Sequence, residues 1–307
     1  MFSTRKAATV FVVVLASVAA MMWLLFDGVL ALDFLVAQAN FEVSDALIRF
    51  SSTDANARAI AAGILNVVVV GSFASVLACV FAAGLTLLRL TGQSPLVEMT
   101  RAFVDIIRGV PLLLQIVALY FSLLALPPPN SATPVMDCLL LTNRGLYLPA
   151  LTISGIECPA LAGFRVDGGF RISIEMSALV LGLSVYAAAF LSEILRGALL
   201  AVPNGQWDAA RALGLKPVRT FFLVILPQAL VASIPPATSV FAGVYKNTSL
   251  GIAIGYSDLM MISNSIITIT GRAFEMMAIV CIVFFVVNYS VNTGLTVFHQ
   301  RLLKRYG

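Results

Sequence analysis

Charge is what this 307-residue chain has least of: Asp, Glu, Lys and Arg make up 11% of it, under half the ~25% of an ordinary soluble domain. With 60% hydrophobic residues and a mean hydropathy of +0.99, that shortage excludes a soluble globular protein. The net charge of +4 calls for no nucleic-acid partner, because the basic residues cluster at the ends of apolar runs, as membrane topology requires. The single histidine, His299, lies in the basic tail, which argues against His-dependent catalysis and against a His-rich zinc site. The four cysteines show no CxxC or metal spacing. No Gly-x-x-x-x-Gly-Lys-Ser/Thr stretch occurs, so the chain cannot cradle nucleotide phosphates in that way. No strong internal repeat is visible either, which weighs against an inverted-repeat secondary transporter.

What is present is a series of continuous apolar runs near ~20 residues, the length a helix needs to cross the hydrocarbon. They predict six spans, roughly 7–26, 59–88, 97–126, 176–200, 224–255 and 273–298. The first reads as a retained anchor, since its apolar part outlasts a signal-peptide core and no small-residue cleavage site follows. The fifth carries Pro227, Pro235 and Pro236 and a polar Lys246-Asn247-Thr248-Ser249 patch, so it is expected to be broken and to lie inside a bundle. Basic residues at 5, 6, 89, 101, 211, 216, 219, 301, 304 and 305 put both termini in the cytoplasm. The long loop 127–175 is then extracytoplasmic, a docking surface or a flexible spacer. It holds Cys138 and Cys158, whose bridging two loop cysteines alone leave open. Cys79 and Cys281 fall in apolar spans and read as packing residues.

A compact polar stretch, Gly205–Leu215, interrupts two apolar blocks. Asn204 or Gly205 can cap it after Pro203, placing Asp208 in the first turn, while Gly214 ends it and Pro217 stops it. The result is a helix of about nine residues, too short to stand alone in water. Trp207, Arg211 and Gly214 share one side, and Ala209 and Ala210 let another backbone approach. That composition suits a protein interface, with an amphipathic helix on the membrane surface as the alternative.

Asp208-Ala209-Ala210, then Gly214, then Leu226-Pro227 follow the EAA-loop pattern, with Asp at the usual Glu position and Val224 at the usual Ile position. The chain therefore resembles the permease subunits of ABC importers. The segments 192–197, Ile225-Leu226-Pro227-Gln228-Ala229-Leu230, Arg108-Gly109-Val110-Pro111-Leu112-Leu113-Leu114-Gln115, Lys246-Asn247-Thr248-Ser249-Leu250 and Ile254-Gly255-Tyr256-Ser257-Asp258-Leu259 are similar to its polar amino-acid branch. The N-terminal region and Asn143-Arg144-Gly145-Leu146-Tyr147-Leu148-Pro149 look like the general L-amino-acid type.

The resemblance implies an all-α membrane protein of about six transmembrane helices. A five-helix core would follow an N-terminal helix, with a cytoplasmic coupling helix between spans. Residues 1–57 would form the first helix and an extracytoplasmic segment, and 58–307 the permease domain, including a cytoplasmic loop over 201–227. Gln206, Trp207, Asp208, Ala209, Ala210, Arg211, Leu213 and Gly214 would contact a separate ATP-binding subunit. The chain itself would be no enzyme and hold no cofactor; ATP and Mg2+ would belong to that ATPase dimer. The remaining expected partners are a homologous second permease chain and an extracytoplasmic solute-binding protein. Placement in a bacterial cytoplasmic (inner) membrane, with L-amino acids as cargo, follows from the same likeness. An ion-gradient-driven secondary transporter is the rival reading.

Asp105, Arg108, Glu193, Arg196 and Lys246 fall within or beside apolar spans, where each charge costs ~2.5–3.5 kcal/mol at a helix centre on insertion scales. Asp105/Arg108 and Glu193/Arg196 are i, i+3 pairs able to neutralise one another. For a zwitterionic amino acid, Arg108 or Lys246 can meet the carboxylate, Glu193 the ammonium, and Asn247, Thr248 and Ser249 can line the path.

Overall fold

In the computed structural model, residues 32–90, 92, 94–131, 138–152, 155–163 and 165–306 are described. The expected span over 7–26 lies outside them. Helix α1 runs Asn56–Leu90. Next come α2, Ser94–Gly109, and α3, Leu112–Leu124. After the loop, α4 spans Ile174–Ala201 and α5 spans Asn204–Ala212. A short helical turn Pro217–Thr220, a π-helical turn Phe221–Ile225 and α6, Leu226–Asn247, form one continuous rod. It tightens to a 3-10 turn over Thr248–Ile254. Helices α7, Leu259–Thr270, and α8, Ala273–Tyr306, complete the chain. Four helical stretches are long and apolar enough to cross a membrane, or five if the bent pair α2–α3 counts as one.

Two expected spans need correction. The run 97–126 is not one helix: α2 and α3 meet at 105°. Pro111 lacks an N–H and pushes Val110 away from helical backbone, so the ladder stops at that point and restarts with Pro111 as N-cap. The fifth span, conversely, continues as one α-helix past Pro235 and Pro236. The prolines leave the carbonyls of Val231 and Ala232 without their helical N–H partners, whereas the nearby hydroxyls bond other carbonyls, Ser233 Oγ donating to Leu230 O at 2.9 Å and Thr238 Oγ1 to Ile234 O at 2.9 Å. The departures come instead at the π-turn before Pro227 and at the polar patch, where the helix narrows to 3-10. Only 22% of the most apolar window of that rod is buried in the isolated chain, so this chain alone does not enclose it.

The core is a seam of small residues. Ala74, Ala78 and Ala82, each four residues apart on α1, pack with Ala178, Leu179, Leu183, Ala187 and Ala188 of α4 in one buried cluster. Small side chains let the backbones approach, which replaces the hydrophobic drive that lipid cannot supply. Gly71 takes this furthest: a Cβ there would stand 2.4 Å from the Tyr245 ring. Cys79 and Cys281, expected to pack, are exposed on their helices instead.

The segment before α1 is fastened to the bundle. Asn56 Nδ2 donates to Phe34 O at 2.9 Å, and buried Asn66 donates to Asp45 O at 3.1 Å and to Ser257 O at 2.7 Å. Ser173, the N-cap of α4, donates to Asp45 Oδ2 at 2.9 Å. Burial raises the Asp45 carboxyl above the usual range, against the opposing pull of that hydroxyl.

The long loop is no bare spacer. It folds into a three-stranded antiparallel sheet of β1 (Leu140–Thr142), β2 (Gly145–Leu148) and β7 (Phe170–Ile172), with Leu141 opposite Leu146 and Tyr147 opposite Arg171. Two further hairpins pair β3 (Ala150–Thr152) with β4 (Gly155–Glu157) and β5 (Ala160–Ala162) with β6 (Arg165–Asp167). A Cys138–Cys158 disulfide with Cα atoms 4.9 Å apart joins the start of this tongue to its middle. Strands of three or four residues with turn glycines carry too weak an alternation to be legible in the sequence.

Candidate functional site: the interposed helix and the charged cavity

Helix α5 has the length the sequence predicts, nine residues. Its start does not match: Pro203 is the N-cap with no side-chain cap bond, so Asn204 begins the helix and Asp208 falls beyond the first turn. Its end is as expected. Leu215 N donates to Ala210 O at 3.0 Å and Gly214 N to Arg211 O at 2.9 Å, with Gly214 at φ +75°, a Schellman motif. No atom would touch a Cβ at Gly214, so glycine is needed there for its left-handed backbone alone. Lys216 caps the following turn, whose first residue is Pro217.

The helix presents two faces. Ala210 is buried and Trp207 half-buried, and the helix packs against the 217–225 segment. Gln206, Asp208, Ala209, Arg211 and Gly214 are exposed, and Leu213 is 80% exposed. Asp208 and Arg211 pair with one another at 2.8 Å across open solvent. Gln206 Oε1 accepts from Gln228 Nε2 at 3.3 Å. The outcome is a short rod held from behind, with small and apolar residues displayed in front.

The second constellation is a cavity of about 360 Å³ lined by Arg89, Val97, Arg101, Asp105, Arg108, Glu193 and Arg196. Glu193 is ion-paired to Arg89 through one carboxylate oxygen and to Arg196, at 3.1 Å, through the other. The Arg89 side chain is only 6% exposed. Asp105 and Arg108, expected as a second pair, form no ion pair within 4 Å among the described residues. Arg108 instead lays its guanidinium over the Phe190 ring, 5.0 Å from the centroid.

Next to Phe190 lies a smaller hollow of about 190 Å³ between α4 and α6, lined by Leu183, Tyr186, Ala187, Phe190, Ser239, Val240, Gly243, Val244 and Asn247. Its wall thus brings in Asn247 from the expected pathway. The other members of that group stand apart: Thr248 is buried and donates back to Tyr245 O at 2.9 Å, and Ser249 donates to Lys246 O at 2.8 Å. Lys246 is exposed in the last turn of α6, among the described residues without an ion-pair partner within 4 Å. Sequence reasoning missed Arg89 as a partner of Glu193, because 104 positions separate them and nothing local links them. It also missed Phe190, Tyr186, Ser239 and Gly243, which look like ordinary span residues until α4 and α6 are laid side by side.

Residues 76–304 match a family described as "Binding-protein-dependent transport system inner membrane component". The Escherichia coli (strain K12) protein YhdX is 31% identical, over 88% of this chain and 84% of its own. The general L-amino acid transport system permease protein AapQ of Rhizobium johnstonii is also 31% identical, over 85% of this chain and 80% of its own. Among solved structures, an amino acid ABC transporter crystallised with histidines superposes with a TM-score of 0.59 at 21% identity, covering 80% of this chain and 94% of that one. At that identity the likeness speaks for the fold.

Proposed function

This chain belongs to the binding-protein-dependent transport system inner membrane component family, and from that premise we propose that it is the transmembrane permease subunit of an ATP-driven importer of L-amino acids. The observation that carries the reading is α5: a nine-residue helix between two spans, closed at Gly214 and exposed along Asp208, Ala209, Arg211 and Leu213. A chain with no phosphate-binding loop but a rigid, partner-ready rod at the end of a span is built to receive work done elsewhere. The worker is an ATP-binding subunit, present as a dimer and holding ATP and Mg2+. A homologous second permease chain covers the exposed side of α6. An extracytoplasmic solute-binding protein delivers the cargo, and the membrane is the bacterial inner membrane.

In this reading transport proceeds by alternating access. The cargo passes the hollow walled by Tyr186, Ser239 and Asn247 and leaves through the charged cavity. Arg108 offers the cargo carboxylate a guanidinium that, among the described residues, no carboxylate of this chain occupies. Asn247 borders the path at the end of α6 with Lys246 exposed beside it, whereas the buried Thr248, bonded to Tyr245 O, does not reach it. Glu193 can accept an ammonium only by giving up Arg89 or Arg196, so its part is a transient one.

The test is uptake of labelled L-amino acids by the assembled complex in proteoliposomes. Uptake that requires ATP and persists when ionophores collapse every ion gradient supports the importer. Uptake that follows a gradient and ignores ATP removes it in favour of a secondary transporter.

A further inference from the structure

One side chain lines the uncharged hollow and touches a wall residue of the charged cavity. Phe190 lines the hollow between α4 and α6 and receives Arg108, a lining residue of the charged cavity, on its ring. One turn before it on α4, Tyr186 lies 5.0 Å from it, centroid to centroid. One turn after it, Glu193 lines the charged cavity. A single face of α4 therefore runs from Leu183 and Tyr186, in the uncharged hollow, through Phe190 to Glu193 and Arg196, among the charges.

The two partners in this contact sit on different helices. Arg108 is the penultimate residue of α2, at the break where the chain turns by 105° into α3. Phe190 is on α4, which ends at Ala201 and leads through Val202 and Pro203 directly into α5. A displacement of α5 therefore reaches Phe190 along one helix, while Arg108 stays with the α2–α3 elbow. A cation over a ring face holds well when aligned and is lost when the two slide apart, because the attraction depends on the ring quadrupole.

We propose that Phe190, held in place by Arg108, is the gating residue between the uncharged hollow and the charged cavity. In the closed arrangement the stacked ring fills the passage. When α5 draws α4 away from the elbow, the ring leaves the guanidinium, the passage opens, and Arg108 is released to face the carboxylate of the cargo. This inference rests on the transport reading above and adds to it a specific position and a closing contact.

The experiment uses the full assembly, with its ATPase and binding protein, in proteoliposomes. It reads two quantities: ATP hydrolysis without binding protein, and amino acid imported per ATP hydrolysed. Phe190→Leu, which keeps an apolar side chain and removes the ring, is expected to raise unstimulated hydrolysis at least threefold and to lower import per ATP at least fivefold. Phe190→Tyr, which keeps the ring, should stay within twofold of wild type. Arg108→Gln should reproduce the raised unstimulated hydrolysis of the leucine variant, and the double variant should hydrolyse ATP without binding protein no faster than either single one.

A Phe190 that merely packs would lower both rates together and leave their ratio intact. That ratio within twofold of wild type in Phe190→Leu, or a tyrosine variant as defective as the leucine one, overturns the gate. Should the leucine variant fail to assemble, Phe190→Met is read by the same ratio and the same limits. If the wild-type assembly imports no amino acid with ATP, the transport reading falls and the gate with it. If the wild type imports with ATP and the Phe190 variants match it, the gate alone falls.

Discussion

Of the acid–arginine couples at i, i+3 spacing in this chain, three come to three different ends. On α5, Asp208 and Arg211 pair only with each other, with side chains 69% and 71% exposed. On α4, Glu193 and Arg196 also pair, but Arg89 arrives from α1 and turns the couple into a three-residue network with one arm 6% exposed. On α2, Asp105 and Arg108 do not pair at all, and the arginine goes to a ring on another helix. Local spacing permits a pair, whereas tertiary surroundings decide whether it forms and what it is worth. The exposed couple contributes almost nothing to stability and leaves its helix free for a partner. The network clamps two spans at one end of the bundle.

The sharpest way to break that contrast is to remove the shared carboxylate. Glu193→Gln leaves Arg89 buried beside a neutral amide, and the loss should be about 3 kcal/mol, since an uncompensated buried charge is the costly half of a broken pair. Thermal unfolding of the purified chain in lipid nanodiscs would show it as a drop of several degrees, with Arg196→Gln costing less because its side chain is 41% exposed.

Next comes the packing seam on which the clamp acts. Gly71→Leu forces side-chain atoms into the Tyr245 ring, an overpacking cost of about 1–3 kcal/mol. Gly84→Leu, on the same helix where a Cβ would touch nothing, should be close to neutral in the same assay.

Gly214→Val is smaller and local. A left-handed backbone at a β-branched residue costs about 1–2 kcal/mol. The expected sign is faster amide exchange over 204–215, with the melting of the spans unmoved. Smallest of all, Asp208→Asn should shift stability by under about 0.5 kcal/mol. A loss as large as that of Glu193→Gln would erase the distinction between the two pairs.

Much of this architecture is legible in the amino-acid sequence. Apolar runs locate α1, α4 and α8 to within a few residues at most ends, because lipid forces long, continuous hydrophobic stretches. Gly214 and Pro217 mark the end of α5, since backbone chemistry at a helix terminus is local. What escapes is whatever depends on a partner distant in sequence or on the competition between neighbouring groups. The N-cap of α5 is Pro203, because fixed backbone replaces a capping side chain. Trp207 is half-buried rather than fully displayed, on a helix packed against the 217–225 segment. The prolines at 235 and 236 do not break α6, which stays helical through them to Asn247. Pro111 does break the run 97–126, and Gln115 Nε2 donates back to Ile107 O and Val110 O across the elbow. The Glu193 network and the Phe190 contact have no local signal. They arise from α1, the α2–α3 elbow and α4 meeting at one end of the bundle.

The central claim is that the exposed front of α5 receives the work of a separate ATPase. Its most direct measurement is retention of the ATP-binding subunit on the purified permease assembly, comparing wild type with Ala209→Asp and Leu213→Asp, both on the exposed front and away from the buried Ala210. We expect at least a tenfold loss of bound ATPase and of ATP-driven uptake, with the variant chains still folded and inserted in the membrane. An ATPase retained at wild-type level, with uptake unimpaired, would contradict the account.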